Sequence, residues 1–464
     1  MAGQLSSASL LGELHRHSAT RHENNAGKTL EQHGLSCPVE VDTVDIGLEK
    51  PHPILRISNV LKVLASHDKL SLLWGSDDPN PTAALAKFWR RFRTHQGSHE
   101  VFVQHAQQLH RTIPILLHAD EGQTLKSAGI MVISWESPLG LGVSTQDAPT
   151  DMGLNYMGSS FKTRFLISVL LKRIYLKKVK ASLDNLVSEV AAELKALFFD
   201  GIELAHKGQN MHFFVAFIGL KGDWPIHQKL GHLRRHFSRM TKKDDDANAA
   251  GICHLCEAGK AGIPFHEVGP RATWTRTYLI SSPFLRPGPL AIVPGATSRE
   301  LMFRFDPFHT LHKGCFAELA GSALVMISDY GLVGSSGFDA QLASLYELLK
   351  EFCTRTKTPL HMDGLTRNLL NFKRDSDYPV GSWFKGADTA AVLGFLEEFL
   401  GNYVASLSVP DPYLESARDA CRAANTFLRT RFCEPFTDME FGFPVTLALW
   451  PQMPAGRSFA VIWN

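Results

Sequence analysis

The sequence lacks the features that mark several common classes of protein. Seven cysteines spread over 464 residues, with one close pair, do not form the pattern of a secreted disulfide framework and suit a reducing compartment. No apolar run approaches the roughly 20 residues that cross a bilayer. The first residues, Met1 to Leu5, hold no basic stretch ahead of an apolar run, so we predict no secretory signal. We expect an intracellular protein, nuclear or cytoplasmic, with no membrane partner.

Cofactor motifs and a dominant charge are also missing. The chain contains no P-loop, no glycine-rich dinucleotide motif and no Gly-x-Ser-x-Gly elbow, so a metabolic enzyme with a small-molecule cofactor has no support. The formal net charge of +2 does not by itself indicate a polyanion partner. Apolar residues make up 44% and charged residues 20%, which is ordinary for a globular protein with a sizeable core.

Short apolar runs are followed along the chain by helical patterns. The runs at 113–119, 130–135 and 212–220 each end at turn residues, which is typical of buried strands. Residues 183–199 and 386–407 carry apolar side chains at helical spacing. This order predicts an α/β or α+β core with a helical extension.

A Cys/His constellation indicates one structural zinc ion. Cys253 and Cys256 are separated by two residues in a glycine-rich turn, a spacing that lets two thiolates bind one tetrahedral ion. His309 and His312 follow downstream at i and i+3, which places both on one face of a helical turn. The structural alternative is that the cysteines are simply buried and the histidines lie in the core or at the surface. Substitute ligands are His254 and His266.

Two acidic residues end apolar strands. Asp120 follows the run at 113–119, and Asp223 follows the run at 212–220. Carboxylates at the ends of core strands are what a site for two Mg²⁺ or Mn²⁺ ions needs, because these ions prefer oxygen ligands. Both residues also suit a structural role, since aspartate is common in turns.

A third acid is needed to complete such a site. Asp388 starts the helical pattern at 386–407, where an aspartate also serves as an N-cap or first-turn acid. The competing candidates are Glu397 and Glu398 on the same helix and Asp306, which precedes the histidine pair. Asp306 is alternatively a hydrogen-bond partner for a ligand histidine.

Basic residues cluster at 87–93, 162–180 and 227–243. Ile167, Val169 and Leu170 lie between basic residues of the second cluster, and we predict an amphipathic helix there. Any single cluster suits a solvated surface, but three clusters in a near-neutral chain favour binding to the phosphate backbone of DNA.

The order of five motifs carries a resemblance to a known group of mobile elements. The motifs are Ile113 to Gly122, Lys221 to Pro225, the Cys253 and Cys256 pair, Asp306 to Gly314, and Trp383 to Asp388. In this order they resemble the transposase core of the Plavaka and Kyakuja–Dileera–Zisupton DNA transposons, and in particular transposon-derived proteins of dinoflagellate algae. The resemblance covers roughly residues 88–405.

The resemblance implies a ribonuclease H-like fold, a mixed five-stranded sheet flanked by helices. It implies a DDE/D triad of Asp120, Asp223 and Asp388, and a zinc-bearing insertion with Cys253, Cys256, His309 and His312. The implied activity is DNA strand cleavage and transfer by a two-metal mechanism. The alternative is a catalytically silent, domesticated DNA-binding protein that keeps the fold and the zinc site; a homo-oligomer stays open for both.

Together these patterns divide the chain into five segments. They are a mobile N-terminal arm at 1–53, a helical segment at 54–110, the first part of the ribonuclease H-like core at 111–239, the zinc-bearing insertion at 240–320, and the helical remainder with a C-terminal extension at 321–464.

Overall fold

The computed structural model describes residues 39–433 except for 76–80, 125–127, 141–154, 156–162, 207, 240–246, 268, 270, 375 and 384, and it also describes 13, 28–30 and 32–33. The strands β1 to β7 span Asp42–Val44, His52–Ile54, Thr112–Gln123, Gly129–Glu136, Arg164–Leu171, Ile202–His206 and Gln209–Lys221. The helices α1 to α9 span Ile57–Ser66, Thr82–His95, Val101–Gln104, Ser182–Phe199, Trp224–Gly231, Phe316–Asp329, Phe338–Thr356, Ala387–Ser406 and Pro412–Cys433.

Five strands form one mixed sheet in the order β5-β4-β3-β7-β6. β3, β4 and β5 are antiparallel neighbours, β7 runs parallel to β3, and β6 pairs antiparallel with β7. β3 lies at the centre, and its apolar run is buried on both faces, as expected for a strand beside a parallel partner. The predicted α/β class and the mixed five-stranded sheet flanked by helices are confirmed, and the arrangement is compatible with a ribonuclease H-like fold.

The predicted strands at 113–119, 130–135 and 212–220 are confirmed as parts of β3, β4 and β7, and the helical patterns form α4 and α8. The amphipathic helix predicted in the second basic cluster is wrong, because residues 164–171 form β5. The register with β4 buries Ile167 and Leu170, so an apolar stretch rich in branched side chains is stabilised by the neighbouring strand instead of by a helical face.

Buried apolar side chains of the described residues form two clusters. The first extends from Val44 to Phe303 and surrounds the sheet, and the second extends from Ala317 to Leu428 and lies among α6 to α9. β1 and β2, which lie around the predicted boundary at 53, pair with each other, and Val44 is part of the first cluster. Residues 1–12 of the predicted arm lie outside the described residues, as do 434–464 at the other end.

The predicted insertion, 240–320, begins with residues outside the description and continues with 3₁₀ turns and irregular chain. The five segment boundaries stay predictions. In the described part of the chain, none of the helices combines the length and the apolar character that a bilayer-crossing segment requires.

Candidate functional site

Asp120 lies in β3, three residues before its end, and Asp223 lies two residues beyond the end of the adjacent parallel strand β7. The last residue pair between β3 and β7 is His118 with Lys221. Continued by two residues, this register places Asp223 level with Asp120. The sequence located both acids because each follows an apolar run, but only the strand order makes them neighbours.

Gly222 allows this close approach. Its φ of +155° lies in a region that favours glycine, and a Cβ atom there would lie 2.8 Å from the carbonyl oxygen of Ala119 on β3. The same Cβ atom would lie 3.0 Å from Ile226 on α5. A side chain at position 222 would therefore push the end of β7 away from β3 and separate the two carboxylates.

Asp223 is also the N-cap of α5. Its Oδ1 accepts a hydrogen bond from the backbone N–H of Ile226 at 2.9 Å, and Pro225 occupies the first turn of the helix. The structural role that the sequence allowed for Asp223 is thus present, and it uses one carboxylate oxygen. Asp223 is partly exposed and Asp120 is exposed, so both can meet a solvent-borne ligand.

Asp306 extends the pair to a row of three. Phe303 forms a parallel bridge with Leu220 of β7, and the N–H of Arg304 donates to the carbonyl of Leu220 at 2.9 Å. β6 covers only the first part of that edge of β7, so the segment at Phe303 takes the remainder. Three residues further, the same alignment brings Asp306 level with Asp223, on the side away from Asp120. We call Asp120, Asp223 and Asp306 the carboxylate row.

Asp306 is engaged by the residues that follow it. Its Oδ1 accepts hydrogen bonds from the backbone N–H groups of Phe308 at 2.9 Å and His309 at 3.2 Å, and its Oδ2 lies 2.5 Å from Nδ1 of His309. Burial raises the pKa of Asp306, but the hydrogen bonds of His309 outweigh burial and hold the pKa below its ordinary value.

His309 contacts Asp306 and experiences the charge of all three acids of the row. The hydrogen bond to Asp306 raises the pKa of His309, and the charges of Asp306, Asp223 and Asp120 raise it further. Three carboxylates acting on one imidazole agree with the alignment of the three strand ends. His309 was predicted as a zinc ligand, and here its ring faces acids.

The other candidates for the third acid have partners in the helical part of the chain. Asp388 is buried in the first turn of α8, and its Oδ1 accepts hydrogen bonds from the backbone N–H and Nδ1 of His361 at 3.1 and 2.9 Å. Glu397 accepts a hydrogen bond from Asn425 at 2.9 Å, and Glu398 pairs with an arginine of α7 at 2.5 Å. Of the four candidates, only Asp306 follows a segment aligned with β7; the choice stays a prediction.

The Cys/His constellation is only half assembled. The thiols of Cys253 and Cys256 hydrogen-bond to each other, and this bond lowers the pKa of Cys253. His309 binds Asp306, and Nδ1 of His312 donates to the carbonyl of Gly386 at 3.2 Å. Among the described residues, no three His, Cys, Asp or Glu side chains are grouped so that they could hold a metal ion. The residues as arranged do not fit a four-ligand zinc ion, and the zinc site stays a prediction.

The two substitute ligands are no closer to completing it. His254 is buried between the rings of Trp224 and Phe303, with centroid distances of 4.7 and 5.7 Å, and neither of its ring nitrogens has a hydrogen-bond partner. The ring of His266 contacts that of Phe265. Sequence reasoning did not anticipate that His254 would contact the helix that Asp223 begins.

The basic clusters have divided roles. Arg235 is buried and donates to the carbonyls of Cys253 and His254 and to Ser281, so it supports the insertion and is not available to DNA. Lys172 and Lys229, from different clusters, both bind Glu121. Residues 162, 242 and 243 lie outside the described residues.

Neither a comparison with protein-family models nor a comparison with curated proteins finds a match to this chain. The resemblance to transposases therefore depends on the five motifs in their order.

Proposed function

We propose that the chain is a transposase-like protein that cleaves and joins DNA strands at the carboxylate row, with Asp306 in place of Asp388 as the third acid. The observation that supports the proposal is the proximity of the three acids: β3 pairs with β7 up to His118 and Lys221, Phe303 bridges to Leu220, and the charges of Asp306, Asp223 and Asp120 all raise the pKa of His309.

Carboxylates are suitable ligands for Mg²⁺ or Mn²⁺, but the side chains of the carboxylate row do not converge on one point. In the part of the chain that is described, three acids do not surround one point. Both oxygens of Asp306 already accept hydrogen bonds, from Phe308 and His309. The side chains as placed do not fit a bound ion, so we derive no catalytic step through a metal.

The second candidate function is DNA binding without cleavage. It is favoured by the same two observations, the ungrouped acids and the engagement of Asp306 by His309. Both functions share the fold and the DNA partner, and they differ in whether the row changes a phosphodiester bond.

A plasmid-nicking assay separates the two functions. Purified protein is incubated with supercoiled DNA in Mg²⁺, in Mn²⁺ and in EDTA, and nicked and linear products are quantified. The variants are Asp120→Asn and Asp223→Asn, each of which keeps the shape of the side chain and removes its charge. The matched control is Asp339→Asn, since Asp339 is 77% exposed and lies on α7, whose buried side chains belong to the second cluster.

The proposal expects metal-dependent nicking by the wild type and by Asp339→Asn, and its loss in the two row variants. Nicking that survives Asp223→Asn would assign the activity to a contaminating nuclease. DNA binding in EDTA, without nicking in either metal, would favour the second candidate function, DNA binding without cleavage.

A further inference from the structure

Four side chains from four segments meet beside the carboxylate row. Glu121 directly follows Asp120 on β3, so the two carboxylates point to opposite faces of the sheet. Lys172 follows β5, Tyr175 lies in a π-helical turn at Ile174–Lys178, and Lys229 lies on α5. The group therefore lies at the end of the sheet where the row lies, on the other face.

Glu121 holds the group together. Its Oε2 accepts a hydrogen bond from Lys172 at 2.5 Å, and its Oε1 accepts hydrogen bonds from Lys229 and, at 2.7 Å, from the hydroxyl of Tyr175. Glu121 is largely buried, with 17% of its side chain exposed, and Tyr175 is 5% exposed. Two lysines 57 positions apart in the chain are thus fixed by buried partners.

The group carries more positive charge than Glu121 requires. One ammonium would neutralise the carboxylate, and two leave a net charge of one. Burial raises the pKa of Glu121, but the hydrogen bonds from Lys172, Lys229 and Tyr175 outweigh burial and hold the pKa at about 2.

The two ammonium groups keep donors for another acceptor. Each carries three N–H donors and, among the described residues, uses one of them on Glu121. The side chains are 40% and 29% exposed, so the remaining donors reach the surface. Two like charges held together with unused donors form a site for an anion with several oxygens, such as a phosphate group.

We propose that Lys172 and Lys229 form a clamp for one phosphate group of a DNA strand that passes around the end of the sheet where the carboxylate row lies. We call this pair the lysine clamp. The identity of the ligand as DNA rests on the proposed function, whereas the anion site rests on the contacts of Glu121. The clamp would place positive charge at the end of the sheet that also carries the negative row.

The spacing along α5 agrees with this role. Asp223 begins the helix and Lys229 follows it by six residues, which separates them by about 9 Å along the axis. One strand of DNA advances about 3.4 Å per phosphate. A few nucleotides of one strand therefore cover the axial separation between Asp223 and Lys229.

The test is DNA binding without metal, so that cleavage does not contribute. Fluorescence anisotropy of a labelled duplex is measured in EDTA between about 50 and 200 mM KCl for the wild type, Lys172→Met, Lys229→Met and the double variant. The matched control is Lys177→Met, which removes one positive charge from an exposed position in the π-helical turn that holds Tyr175.

If the two lysines share one phosphate, then loss of either lysine, or of both, removes the same single contact. The two single variants and the double variant are therefore each expected to make the plot of log Kobs against log[KCl] less steep by about 0.9. Lys177→Met is expected to leave the slope unchanged. Slopes that fall twice as far in the double variant would mean two independent contacts and overturn the clamp. An equal effect of Lys177→Met, or no DNA binding by the wild type, would also overturn it.

Glu121→Gln guards against a folding artefact, because it keeps both lysines and removes the negative charge between them. It is expected to bind DNA roughly fivefold more tightly, from one added favourable charge. Unchanged or weaker binding by a variant with wild-type thermal unfolding would show that the lysines serve only to neutralise Glu121.

A calorimetric titration with inorganic phosphate tests whether the ligand of the clamp is free phosphate or DNA. Phosphate binding that is lost in both lysine variants, with unchanged DNA slopes, would overturn the assignment to DNA. Nicking in Mg²⁺ is measured separately, so a protein that nicks DNA with unchanged slopes refutes only the clamp. A protein with the expected slopes and no nicking refutes only the cleavage proposal.

Discussion

The buried imidazole of His99 predicts a defined loss of stability in acid. Its Nδ1 accepts a hydrogen bond from the backbone N–H of Val101 at 3.1 Å, so Nε2 carries the proton and donates to the carbonyl of Phe217 on β7 at 3.1 Å. His99 is 2% exposed. Both ring nitrogens have hydrogen-bond partners only when the imidazole is neutral. In the charged form Nδ1 would also carry a proton, which would point at the N–H of Val101.

The magnitude follows from the pKa. Burial lowers the pKa of His99 from 6.5 to about 4, with the hydrogen bond to Phe217 opposing part of this shift. In the unfolded chain the imidazole takes up a proton near its ordinary pKa, whereas the folded protein resists protonation. Full stability is therefore present above pH 6.5 and is lost as the pH falls toward 4. Each pH unit in this window costs about 1.4 kcal/mol, so the loss at pH 5 is about 2 kcal/mol.

Urea unfolding at a series of pH values between about 8 and 5 measures this term as the difference between the wild type and His99→Asn. Asparagine keeps an acceptor for Val101 but cannot titrate. At pH 8 the variant is expected to be less stable by about 1–3 kcal/mol, because the carbonyl of Phe217 loses its donor. At pH 5 this difference is expected to have narrowed by about 2 kcal/mol.

The control is His67→Asn, since His67 is exposed at the end of α1. A constant difference between wild type and His99→Asn from pH 8 to pH 5 would refute the neutral assignment of His99.

Three further predictions concern the candidate sites. Asp223→Ala is expected to lower the free energy of unfolding by about 1 kcal/mol through loss of the N-cap, whereas Asp223→Asn keeps the cap and the stability; equal losses in urea unfolding would contradict this role. Asp306→Asn is expected to abolish metal-dependent nicking and Asp388→Asn to retain it, with thermal unfolding as the check on folding; the reverse result would restore Asp388 as the third acid. If the Cys/His constellation closes around an ion, elemental analysis is expected to find about one zinc per chain in the wild type and less zinc in Cys256→Ser. A folded wild-type protein without zinc would end that prediction.

Much of the sheet was predictable because its central strands are buried on both faces. The apolar runs of β3 and β7 are continuous, so Asp120 and Asp223 could be located shortly after them. The turn predicted at Asp120 is wrong, because β3 continues to Gln123 as the partner of β4. β5 was mistaken for a helix because it is an outer strand of the sheet, with basic residues near its ends and alternate burial of its apolar residues. Pairing with β4 decides its conformation, and no local pattern reveals that partner.

The third acid and the lysine clamp depend on contacts between distant segments. Asp306 joins the row because Phe303 aligns with Leu220, 83 positions earlier in the chain, and a single bridge leaves no periodic pattern. Lys172 and Lys229 appeared in the sequence as members of two separate basic clusters. Only the fold brings both to Glu121.

The double use of Asp223 has an evolutionary consequence. Asparagine, serine and threonine also cap helices well, and a single-nucleotide change converts an aspartate codon to an asparagine codon. A lineage could therefore lose the charge at this position while its proteins continued to fold, accumulate and occupy DNA. Gly222 offers no such freedom, because any side chain there meets the backbone of β3. Among diverging copies of this chain, we expect position 222 to record selection for the fold and position 223 to record selection for chemistry.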